Sequence, residues 1–165
     1  MFETNVDATY AWLGLALVSV ATAGVAATLP ASPPPDASGV AHTIDSVADG
    51  PYPARAEHGL AASQIRLTER SIGLRGDGGV GFASLRGPKI TPVPAGHGKR
   101  NRTDGIGELR RVLDGVPPSS AFDDPDAFAA AASHARDVDG AWRPAPGRLT
   151  VRQVHYGGVH VTLVG

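Results

Sequence analysis

Residues 149–164 read LTVRQVHYGGVHVTLV, and this stretch decides the fold class. Gly157-Gly158 supplies a two-residue turn that permits positive φ at both positions. Folding about it sets Tyr156 against Val159, His155 against His160, Val154 against Val161 and Arg152 against Leu163. One face of the hairpin is then apolar near the turn, with Tyr156, Val159, Val154 and Val161. The other begins with two imidazoles and becomes apolar at Val151 and Val164. A hairpin of this kind calls for an antiparallel sheet.

Working back from it, two helices precede the hairpin. Asp124 opens one, with Pro125 at its first position and Asp126 near its positive end. It carries Phe128, Ala131, Ala132 and Ala135 and closes by Gly140. Asp104 caps the other, which places Ile106, Leu109 and Leu113 on one face and stops at Gly115 and Pro117. Further back the pattern is extended. Ile65 and Leu67 alternate, then Ile72 and Leu74 alternate in the opposite phase, which predicts a bulge or break near Glu69 to Ser71. Gly76-Asp77-Gly78-Gly79 is a turn, Val80, Phe82 and Leu85 continue a return strand, and Ile90 to Val93 reads as a short edge strand between prolines. Ser38 is the expected cap of a first short helix, with Val40, Ile44, Val47 and Ala48 on its inner face and Gly50-Pro51 at its end.

The chain has 165 residues, the size of one ordinary domain. With 21 Gly and 14 Pro, turns are frequent and regular helix is limited. The 15 basic and 16 acidic side chains nearly cancel, which excludes a strongly basic nucleic-acid binder. There is no cysteine, so disulfides, thiol catalysis, Cys-ligated zinc and iron–sulfur clusters are excluded.

Residues 10–29, YAWLGLALVSVATAGVAATL, carry no charge. At about 1.5 Å per residue they span roughly 30 Å, the thickness of a bilayer's hydrocarbon core. Tyr10 and Trp12 sit at one end, where amphipathic rings favour the headgroup level. The expectation is a retained single-pass transmembrane anchor. A cleaved signal peptide, with Ala21-Thr22-Ala23 as its processing site, and a buried soluble helix are the alternatives; no Lys or Arg precedes the segment as a signal peptide's basic region requires. Ser19, Ala23 and Ala27 form a small-residue stripe through which such a span packs against other helices. Residues 30–38, PASPPPDAS, are a stiff proline-rich spacer. The expected organisation is therefore an anchor over 1–29, a linker over 30–38 and a small α+β domain over 39–165. That domain is an antiparallel sheet with two or three short helices.

Chemistry-bearing residues are sparse. His155 and His160, as a cross-strand pair, are candidate metal ligands, against the plainer reading of a solvated or stacked pair. His42 and Asp45 share a helix face and more simply form a surface pair. Gly76–Gly81 matches G-x-G-x-x-G but is followed by strand and turn, so it reads as a hairpin tip and not a dinucleotide loop. Asn101-Arg102-Thr103 is a glycosylation sequon, with Asn101 the acceptor, and it argues that the C-terminal part lies outside the cytoplasm. Lys99, Arg100 and Arg102 make a small basic patch. No hydrolase, metalloprotease or phosphate-loop motif is present, so no catalytic residues, no enzyme activity and no cofactor are expected.

The opening MFETNVDATYAWLGLALVSVATAGVAATLPASPPPDASGV and the closing LTVRQVHYGGVHVTLVG resemble an uncharacterised family of small haloarchaeal membrane proteins. Members tend to be encoded beside type IV pilus-like assembly components. The resemblance implies an accessory, pilin-like part of a surface or secretion apparatus. Its partners would be other membrane or surface-apparatus proteins and the lipid bilayer, not nucleic acid. The alternatives are a membrane-tethered metal-binding protein or hydrolase using His155 and His160, and an envelope solute-binding or sensory module.

Overall fold

A computed structural model describes residues 4–28, 32–94, 105–137 and 140–165, with side chains from residue 9 to 24 in the first helix. The chain divides into two units, Met1–Ser32 and Pro33–Gly165. The first holds α1 (Thr4–Thr28). Among the described residues no helix is long and apolar enough to cross a membrane. The expected transmembrane anchor is corrected accordingly: α1 is an apolar helix that does not meet the length and apolarity of a membrane span among the described residues.

The second unit begins with α2 (Ala37–Ala48), whose cap is Asp36 and not Ser38. The Asp36 carboxylate accepts from the Gly39 amide at 2.8 Å, satisfying one of the unpaired donors of the first turn. Then come β1 (Arg55–Gly59), β2 (Gln64–Leu67), β3 (Ser71–Gly76), β4 (Gly79–Ser84) and β5 (Ile90–Pro92). They are followed by α3 (Ile106–Asp114), a 3-10 turn (Pro118–Ser120), α4 (Pro125–Asp137), β6 (Arg143–Pro144), β7 (Arg148–Tyr156) and β8 (Val159–Val164). The fold is α+β, as expected. Its strands form two four-stranded sheets where one was expected: β1-β7-β8-β5 and β4-β3-β2-β6. Among the described residues all pairings are antiparallel except β5 with β8.

The terminal hairpin has the register its glycines dictate, with Tyr156 opposite Val159 and His155 opposite His160. Gly157 and Gly158 take φ of 54° and 83°, a region other residues enter only with strain. The opposed phases of Ile65/Leu67 and Ile72/Leu74 resolve as two strands of one hairpin. Ile65 pairs with Leu74 and Leu67 with Ile72, so all four point to one side.

Alternation along β7 divides the core in two. Leu149 and Val151, with Val164 and Ile90, face α2 and the inward residues Ile65, Ile72 and Leu74 of the other sheet. Val154, with Val161, Leu163 and Val93, faces α3 and α4 around Phe128, Leu109 and Leu113. Two neighbouring polar residues of β7 cap the helices on the two sides. Gln153 Nε2 donates to the carbonyls of Ala48 and Gly50 at 3.1 and 2.9 Å, closing the end of α2. Arg152 Nη1 donates to the Val112 and Val116 carbonyls at the end of α3, where a cation also complements the helix dipole. Partial burial and the neighbouring Arg55 pull the Arg152 guanidinium below its ordinary pKa.

Two exposed carboxylates tie distant segments. Arg148 and Arg55 reach Glu57 at 2.7 and 2.9 Å, and Lys89 reaches Glu69 at 2.8 Å. These hydrogen bonds, from Arg148 foremost and from Lys89, hold both carboxyls below the usual glutamate value of 4.5. The folded state therefore binds fewer protons than the unfolded chain in acid, so stability is lost as pH falls through the folded pKa values, below 4.5. Thermal unfolding from pH 7 down to 3 is expected to show a falling midpoint, with a shallower acid limb in Glu57→Gln.

Candidate functional site

The apolar composition of residues 10–24 makes α1 the feature with the clearest interaction chemistry. Tyr10, Trp12, Leu13, Leu15, Leu17, Val18 and Val20 are each between 59 % and 73 % exposed. At 3.6 residues per turn they point to every side of the helix. A helix that is apolar all round is ordinarily buried in other structure. Covering one such side chain contributes about 1.5–3 kcal/mol. The hydroxyls on α1 are turned inward: Ser19 Oγ donates to the Leu15 carbonyl and Thr22 Oγ1 to Val18, both at 2.8 Å. Ser19 and Ala23 are small side chains one turn apart on α1, and the Ser19 hydroxyl is satisfied within the helix. The side chain of Ala27 lies outside the described residues.

The structure brings His155 and His160 together. Their rings stack with centroids 4.0 Å apart and planes inclined by 15°. Among the described residues Nε2 of His155 is shut off from solvent and has no hydrogen-bond partner; on the same face of β7, Gln153 Oε1 is in the same condition. Among the described residues no group of three or more His, Cys, Asp or Glu is placed to hold a metal. The pair places two imidazole rings face to face on the hairpin.

The remaining candidates separate. His42 is exposed, while the Asp45 carboxylate accepts the Arg86 and Gly87 amides at 3.2 Å, a structural role. Gly76–Gly79 is the β3–β4 turn, as the hairpin reading required. Asn101 and the basic residues Lys99, Arg100 and Arg102 lie outside the described residues. Between the sheets, Ile65, Leu67, Val93 and Leu149 help to line a cavity of about 30 Å³. That is room for a water or two, well below the size of a small-molecule pocket.

One cluster was not read from the sequence. Trp142 sits beside β6 and packs edge-on against Phe82 of β4, with ring centroids 5.9 Å apart. The guanidinium carbon of Arg75 lies 4.4 Å from the centroid of the Trp142 ring. The available signal was the outward phase of Phe82 relative to Ile72 and Leu74. Without β6, nothing placed Trp142 near it.

These elements define a small α+β protein with an apolar N-terminal helix. The chain belongs to a family of unknown function, DUF7283, whose model matches residues 3–154. No curated protein and no solved structure matches it.

Proposed function

We propose that this protein is a structural or accessory, pilin-like component of a surface or secretion apparatus in a haloarchaeon, acting through protein–protein interaction. The observation that carries the reading is α1, with large apolar side chains exposed on every side. Helices of partner subunits, packing closely along Ser19 and Ala23, would remove that surface from water. The second unit is then the part displayed outside the cytoplasm. The pilus-like and haloarchaeal setting is supported by the resemblance of the two ends of the chain.

Photo-crosslinkers placed at Leu13 and Leu17 of the full chain, in cells, test this. Crosslinks to defined protein subunits are expected, and Leu17→Asp should weaken capture by about 10- to 100-fold, the equivalent of one buried leucine. Crosslinks to lipid alone, or full capture by Leu17→Asp, would overturn the reading.

The stranded Nε2 of His155 favours metal binding as a second reading. Unchanged metal content per chain in His155→Ala would remove it.

A further inference from the structure

The outward side of the β4-β3-β2-β6 sheet is built differently from the rest of the second unit. Residues directly opposite in a ladder share a face. Phe82 stands opposite Gly73, and Gly73 opposite Arg66. Val80 stands opposite Arg75, and Arg75 opposite Gln64. The alternate positions Ile65, Ile72 and Leu74 are buried, so this set points outward.

Gly73 makes a shelf. A Cβ there would sit 2.8 Å from Phe82 Cε1 and 3.1 Å from the far edge of the Trp142 ring, so both rings close over bare backbone. Phe82 nevertheless remains 66 % exposed. Cross-strand packing on glycine accounts for one side of the ring and leaves an aromatic surface turned to solvent. Arg75 is held in place beside it, over Trp142 and by donation from Nη1 to Gln64 Oε1 at 2.9 Å. Arg66 is exposed in the same cross-strand row as Phe82. Among the described residues the outward positions of β2, β3 and β4 include two arginines and no carboxylate, in a chain whose net charge is −1.

We propose that this face binds an acidic polysaccharide. The exposed side of Phe82 receives the C–H face of a sugar ring. The Arg66 and Arg75 guanidinium forks receive uronate carboxylates, for which their planar donor geometry is suited. Phe82 and Arg66 are two strand spacings apart, roughly 10 Å, a span that linked sugar rings bridge. Single-stranded nucleic acid is a poorer match, because it calls for successive stacking rings along a basic groove. The inference does not depend on the role of α1.

The test is calorimetric titration of the full chain with polygalacturonate, with its fully methyl-esterified form and with a mixed-sequence single-stranded DNA. Binding to polygalacturonate is expected, and esterification should abolish it. Arg66→Gln, at an exposed position that leaves the fold intact, should weaken it about tenfold, the scale of one charge-assisted hydrogen bond. Phe82→Ala should weaken it comparably, with folding checked by circular dichroism. Equal binding of the esterified polymer, tighter binding of the DNA, or unchanged affinity in Arg66→Gln would each overturn the proposal.

Discussion

Phe128→Ala is expected to destabilise the second unit by about 3–5 kcal/mol, the cost of emptying an aromatic site in a closed core. Phe128 is fully buried on α4. Its ring meets Phe122 at 5.3 Å and Tyr156 at 6.3 Å, both in inclined geometries favourable to aromatic quadrupoles. It therefore joins the start of the α4 layer to the tip of the terminal hairpin. Truncation leaves a cavity between elements that cannot easily close, because β7 and β8 are held from their other face by the first core. Against a typical domain stability of about 5–15 kcal/mol, such a loss is large. The check is urea denaturation, with the midpoint moving sharply down. Phe128→Leu, which keeps most of the volume, should lose far less.

Gly157→Val should cost about 2–5 kcal/mol, from two additive sources. The backbone at Gly157 has φ of 54°, which costs an L residue about 1–2 kcal/mol. A Cβ there would also collide with the Pro125 ring at the first turn of α4, and overpacking of this kind costs about 1–3 kcal/mol. Gly158→Ala separates the two. Its φ is 83° but nothing lies near the added Cβ, so only the conformational cost of about 1–2 kcal/mol should appear. Equal losses in the two variants would show that contact with Pro125 carries no weight.

The hairpin register was legible because Gly157-Gly158 leaves the chain one favoured turn, and that turn fixes every pair along it. The buried faces of α2, α3 and α4 were legible because their apolar residues repeat at helical spacing. β1 was not, because RAEHG has no apolar alternation: it is an edge strand whose backbone pairs with β7 while its side chains stay mostly outside. β6 was missed because it is two residues long and contains a proline. Losing these two edges hid the partition into two sheets, and with it the meeting of Phe82, Trp142 and Arg75. The His155–His160 pair followed from register, but its ring stacking and the stranded Nε2 depend on packing that no local pattern encodes. At the other end, an uncharged run flanked by Tyr10 and Trp12 predicts a span, and no described helix is long and apolar enough to be one. Such a run fixes a helix and its apolarity, and does not fix what surrounds them.

The strand order β1-β7-β8-β5 has a consequence for biosynthesis. The two flanking strands leave the ribosome long before the central pair that gives them neighbours, and they never touch each other. Until β7 and then β8 emerge, that sheet has no middle, so a nascent chain must keep β1 and β5 from wrong partners throughout. Such late closure, across nearly a hundred residues, makes this sheet slower to form than the local β2-β3-β4 meander.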